Sequence, residues 1–244
     1  MPTPNANWTH TLPTATYYAP AGIESNLPPA ELQLCLNVLQ HFVSGGRVFG
    51  CAVGRRFEVR EMVVRGGEGI SVGGRKDISV GGRKENSGGG GKGRKEAVVV
   101  IELDVDEDMA NPYGTLHGAC AAYLVDLCAS TPLVALGVAL GVDGTGMSQA
   151  MDIVYHTAAP VGSRLRITAT SLTIGGRIMA ARCEMVNMKN GMLVVSATLT
   201  KVNPSGSSNR WIKRVGGVGS GSGLGERESK EEEQKENRQE KSKL

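Results

Sequence analysis

A chain of 244 residues can hold one sizeable domain with additions, but 34 glycines and only 4% aromatic residues mean that its length overstates its core. The formal net charge of +3 is too small to imply a polyanionic partner by itself. Five cysteines (Cys35, Cys51, Cys120, Cys128, Cys183) make no CxxC pair and no His/Cys cluster with zinc spacing. A reduced compartment and no structural metal are therefore expected.

Residues 1–27 are rich in Pro, Thr and Asn and are expected as a flexible leader. They lack the basic region and apolar stretch of a secretory signal. In PPAELQLCLNVLQHFVSGG, Pro28 and Pro29 suit a helix start, and Leu32, Leu36, Leu39 and Phe42 recur at helical spacing. Gly45 and Gly46 are expected to end that helix. Phe57 to Arg65 reads as a strand, and so does AVVVIELDVD from Ala97. Between them an insert at about 66–95 repeats ISVGGRK at 70–76 and 78–84. With no aromatic and no large apolar cluster it is expected to be disordered, in a hairpin loop that tolerates it. Residues 65–95 carry eight basic and three acidic residues, a charge that suits RNA. No aromatic interleaves to stack bases, so no nucleic-acid partner is expected.

NPYGTLHGACAAYLVD, residues 111–126, opens a long apolar run in which Asp126 is the only charged residue from Gly118 to Val142. The run is long enough to span a bilayer. A carboxylate mid-span costs roughly 2.5–3.5 kcal/mol on insertion scales, and Pro132 interrupts the run. A buried helix, not a membrane span, is expected. MSQAMDIVYHT, SRLRITATSLTI, RIMAARCEMVNM and MLVVSATLTKVN follow as four strands, the last two joined by the hairpin signal Lys189–Asn190–Gly191. From Pro204 the composition turns to Gly and Ser, and residues 226–244 then hold seven acids and six bases. Residues 205–244 read as a solvated, disordered tail. The domain, 28–204, is thus helix, two strands, long helix, four strands. That order gives an α+β architecture, a curved antiparallel six-stranded sheet wrapped around one apolar helix.

This order, together with N-x-x-G-T-x-H-G and an aspartate eight residues later (Asn111, Gly114, Thr115, His117, Gly118, Asp126), resembles the hotdog-fold acyl-coenzyme A thioesterases. MSQAMDIVYHTAAP is similar to the family strand that begins with a serine, here Ser148, and ends near a proline. The resemblance runs from about Pro28 to Asn203 outside the insert. Ala119, where the family usually has Gly, and Pro112 depart from the pattern.

The resemblance implies hydrolysis of acyl-coenzyme A, with coenzyme A as part of the substrate and no separate cofactor. Gly118, at the helix N-terminus, presents an orphan N–H to developing negative charge. The family implies that Asn111 helps hold the carbonyl, that His117 shapes this corner, and that Asp126 activates water or attacks directly. Ser148 would position the water. A plain capping role is an alternative for His117. Eight helical residues, about 12 Å, separate Gly118 from Asp126, so both serve one carbonyl only if they come from different subunits. A homodimer is required, and a homotetramer is expected. Met147, Met151, Met179 and Met185 are candidates to line the acyl site, with core packing as their other reading. Arg177, after Gly175–Gly176, is a candidate coenzyme A phosphate contact. Rival readings are a non-catalytic acyl-coenzyme A binder, a dehydratase, and RNA binding through the insert. The final Ser242–Lys243–Leu244 reads as a peroxisomal address taken by an import receptor, with cytoplasm or mitochondrion as alternatives.

Overall fold

The computed structural model describes residues 8–43, 48–66, 95–175 and 177–203. The expectations for the insert at 67–94, the glycine stop at Gly45–Gly46, the tail and its terminal tripeptide lie outside the described residues.

α1 (Pro29–Val43) starts where Pro28 ends the approach, and the carbonyl of Pro28 accepts from the N–H groups of Glu31 and Leu32. Proline suits this first turn because the missing N–H would be an orphan anyway. The short helix α2 (Cys51–Gly54) follows. The sheet is one strand richer than expected, because residues Glu24–Ser25 add a two-residue strand, β1, parallel to β2 (Glu58–Arg65). β3 (Glu96–Asp104) pairs antiparallel with β2, and Arg65 lies opposite Glu96. The two strands that flank residues 67–94 therefore close as a hairpin. β4 (Met147–Tyr155), β5 (Arg164–Gly175), β6 (Ile178–Asn187) and β7 (Leu193–Val202) complete the sheet in the order β1-β2-β3-β5-β6-β7-β4.

α3 (Gly118–Leu140) lies against the inner face of this sheet, touching β2, β3, β5, β6 and β7, with α1 packed on its other side. Leu124, Val125, Ala129, Leu133 and Ala135 are sealed from solvent. The helix is long and apolar enough to cross a membrane, and 61% of its apolar window is buried in the fold. Pro132 does not interrupt it. An interior proline costs about 3 kcal/mol, which burial of one or two large apolar side chains offsets. Ser130 and Thr131, in the turn before it, donate to the carbonyls of Asp126 and Leu127 at 2.6 and 3.0 Å.

The leader expectation is corrected for residues 8–27. Trp8 meets the rings of His41 and Phe42 at 5.4 and 5.9 Å. Tyr18 is buried, and its hydroxyl donates to the carbonyl of Gly54 at 2.5 Å. The amide side chains of Asn37 and Gln40 on α1 accept from the backbone N–H groups of Ala15, Thr16 and Tyr17. Composition suggested flexibility because the segment is rich in Pro, Thr and Asn. Two buried or stacked aromatics and a row of side-chain acceptors order it instead.

β4 is the edge opposite β1, and it is exposed along almost its whole length. Met147, Met151, Val154 and Tyr155 all face solvent in the single subunit. A long exposed apolar edge is a surface for pairing with another chain.

Candidate active site

The loop before α3 is tied by Asn111. Its side-chain oxygen accepts from the N–H groups of Tyr113 (2.9 Å) and Thr115 (3.3 Å), and its amide donates to the Thr115 hydroxyl at 3.0 Å. Gly114 takes φ +71°, a left-handed turn that favours glycine. These bonds deliver His117 to the N-cap, where Nδ1 accepts from the N–H of Ala119 at 3.0 Å. With Nδ1 an acceptor, the proton of the neutral ring sits on Nε2. His117 therefore caps the helix, as its alternative reading had it.

Gly118 follows, and its N–H has no acceptor among the described residues. Its carbonyl accepts from the Tyr155 hydroxyl at 3.0 Å, which pins the helix start to β4. A Cβ on Gly118 would meet only that ring, at 3.7 Å. Packing within the subunit therefore does not demand a glycine here.

Asp126 lies two turns along α3. It is half-buried in the subunit and paired. The Ser148 hydroxyl donates to its Oδ1 at 2.5 Å. Asp126 escapes full burial because its face of α3 looks toward β4, the strand with no neighbour beyond it.

Beside this pair opens a cavity of about 340 Å³. α1 contributes an apolar wall from Val38, Leu39, Phe42 and Val43, while Asp126, Ser130, Ser148 and Lys201 form the polar side. The structure thus brings Asp126 and Ser148 together, and it places Asn111, His117 and Gly118 together at the other end of the same helical stretch. Arg177 is exposed in the β5–β6 turn, and the next residue, Ile178, lies opposite Val202, which faces Met147. Of the four candidate methionines only Met147 lines the cavity. Met151 is exposed on β4, and Met179 and Met185 belong to the core.

A family model described as Thioesterase superfamily matches residues 113–194. The mouse and human proteins named acyl-coenzyme A thioesterase 13 are each 31% identical to this chain over 103 residues, covering 42% of this chain and 71% of the relative. This chain belongs to the thioesterase superfamily. A zebrafish crystal structure, thioesterase superfamily member 2, is 26% identical, covers 68% of this chain and 95% of its own, and gives a TM-score of 0.47. The mouse member 2 structure is 30% identical, covers 43% and 80%, and gives 0.39.

In this thioesterase three site features escaped the sequence reading. The first is α1, whose role as the cavity wall depends on how it docks on α3. The second is Ser130, one turn beyond Asp126. The third is Lys201 on β7, whose ammonium donates to the Ser130 hydroxyl at 2.8 Å. Burial pushes the Lys201 amine below the ordinary lysine range, against the opposing fields of Asp126 and Asp143. Its signal was present in the sequence: Val195, Ala197, Leu199 and Lys201 alternate on one face of β7, so a charge falls at an inward position. Cys35, also on the cavity wall, is pushed up to about 12 by burial and then by Glu31, so it is a neutral thiol.

Proposed function

We propose that this thioesterase hydrolyses acyl-coenzyme A esters in a homodimer whose sites combine Asp126 of one subunit with the Gly118 N–H of the partner subunit. The observation that carries the reading is the Ser148–Asp126 pair on the rim of a largely apolar cavity. The carboxylate takes a proton from water, the resulting hydroxide adds to the thioester carbonyl, and the carbon–sulfur bond then breaks as the proton passes from the carboxyl to the departing sulfur, releasing acid and coenzyme A and restoring the carboxylate. Ser148, bonded to the carboxylate, holds one oxygen so that the other faces the water. The unfilled Gly118 N–H, at the positive end of α3, meets the oxyanion. The two groups lie about 12 Å apart on one helix, and the exposed β4 edge supplies the surface on which a second subunit brings a partner helix alongside. The acyl chain occupies the wall of Val38, Leu39 and Phe42. Arg177, exposed near Met147, is the proposed coenzyme A phosphate contact.

Free-thiol release from a panel of acyl-coenzyme A esters of increasing chain length tests the reading. Wild-type turnover that Asp126→Asn reduces at least about a hundredfold, within the range of a general base, supports it. Turnover that survives the substitution, or none on any ester, overturns it.

A further inference from the structure

Lys201 is a burden on the fold that packing alone does not explain. It is 7% exposed, on the inward face of a core strand. An ammonium carries three donors, and among the described residues one is filled, by the Ser130 hydroxyl. That hydroxyl spends its own proton on the Asp126 carbonyl. No carboxylate lies within ion-pairing distance of Lys201 among the described residues. A buried cation with unfilled donors costs free energy unless an acceptor arrives, and this one borders the cavity that would hold the acyl chain.

We infer that Lys201 is a specificity-determining residue, whose ammonium receives a neutral oxygen acceptor, a hydroxyl or keto oxygen, borne by the acyl group. The inference rests on the hydrolase reading above. Position sets where the oxygen sits. Ser148 and Lys201 are paired across β4 and β7, so the ammonium lies next to the residue that holds Asp126. It contacts the helix four residues further on, at Ser130, about 6 Å along the axis. An extended chain advancing about 1.2 Å per bond covers that in about five bonds. An oxygen on the third or fourth carbon of the acyl group, three or four bonds from the carbonyl carbon, therefore comes within hydrogen-bond reach of the ammonium.

Charge decides between a neutral and an anionic acceptor. The titratable groups facing the ammonium are Asp126 from α3 and Asp143 from the α3–β4 connection, both attractive to it. From α1 the cavity receives the neutral Cys35 thiol, and β4 offers Met147 and Ser148. One cation already answers two anions, so a further carboxylate on the ligand would be repelled by Asp126 at close range. A hydroxyl or keto oxygen fills the free donors without that repulsion.

The test measures kcat/KM for butyryl-, 3-hydroxybutyryl- and succinyl-coenzyme A with the wild type, Lys201→Met and Lys201→Gln. The ratio between two esters measured in one preparation does not depend on how much of it is folded, so a stability change does not obscure the result. The wild type should favour 3-hydroxybutyryl over butyryl. Lys201→Met should cut that ratio by about tenfold to a hundredfold, the range for a hydrogen bond to a charged group, and Lys201→Gln, which keeps a shorter donor, should restore part of it. A ratio that Lys201→Met leaves unchanged overturns the inference while the hydrolase reading stands. A Lys201-dependent preference for succinyl over 3-hydroxybutyryl overturns the neutral acceptor. No hydrolysis of any ester by the wild type overturns the hydrolase reading and this inference with it.

Discussion

Ser148 makes one short bond to Asp126, and that bond sets what each residue should be worth. Ser148→Ala leaves the carboxylate in place but frees it to rotate. It should lower kcat about tenfold, less than Asp126→Asn, because a charge-assisted hydrogen bond contributes about 1.5–3 kcal/mol of which only part is specific to the transition state. Steady-state kinetics of both variants on one ester checks the order, and an equal or larger loss in Ser148→Ala would contradict it. Lys201 yields a stability prediction of opposite sign to its effect on substrate preference. Its amine is depressed in the folded state by burial, so between the folded value and the unfolded value of about 10.4 the unfolded chain binds more protons. Stability then rises with pH across that window. Lys201→Met removes the burial cost, so the variant should melt higher than the wild type at pH 7 and the gap should narrow as pH approaches 10. Thermal melts at several pH values read this directly. Sequence alone had singled out Asp126 and Ser148, because a lone carboxylate in an apolar helix and a serine opening a strand are local patterns. Lys201 was legible only through the alternation of β7, and that alternation acquires meaning only when one face is known to be the inner one.

Among the elements, β2, β3 and β5 are joined on the sheet by a charge cluster remote in sequence. Glu102 accepts from Arg166 at 2.7 and 2.9 Å, from Arg60 at 3.0 Å and from Arg164 at 3.3 Å. Burial works to raise its carboxyl, but the hydrogen bonds from Arg166, Arg60 and Arg164 outweigh it and hold the group below the ordinary range. A depressed carboxylate contributes stability that is complete above the unfolded value of about 4.3 and is lost as pH falls through the folded value. Glu102→Gln should therefore lower stability at pH 7 by about 1–3 kcal/mol and flatten the loss between pH 4.3 and more acid solution, as read by denaturant melts. β4 and α3 carry the second prediction at this scale. If the site is shared between subunits, a mixed dimer of Asp126→Asn with Gly118→Pro places both lesions in one site and leaves the other intact. Each heterodimer should then recover one of its two sites, so a one-to-one mix of the two inactive preparations that exchanges at random, half of it heterodimer, should recover about a quarter of the wild-type sites. No recovery while heterodimers form would mean that the site lies within one subunit. Circular dichroism of Gly118→Pro beforehand establishes that α3 still starts correctly.

For the whole molecule, the pairing of Arg65 with Glu96 means that the hairpin closes without residues 67–94. Replacing them with a two-residue Asn-Gly turn should keep activity within a few-fold. It should also stabilise the domain by about 2 kcal/mol, since each halving of a loop recovers about 0.6 kcal/mol. A melting temperature that falls instead would show that the segment packs on the domain. The sequence by itself determined the order of the main elements and the antiparallel sheet around one apolar helix, and it singled out Asp126 as the candidate acid. These follow from the spacing of apolar residues, the turn glycines and one uncompensated charge, all of which act over a few residues. It misread residues 8–27, because their order depends on Asn37, Gln40 and Gly54, partners that lie far along the chain. Only the tertiary structure decided that Asp126 stays half-buried between α3 and β4, that α1 walls the cavity, and that Lys201 reaches Ser130. Each is a contact between elements separated by more than twenty residues or by a whole sheet register. Local propensity carries no information about such contacts, because they are fixed by how the faces of α1, α3, β4 and β7 dock once the chain has collapsed.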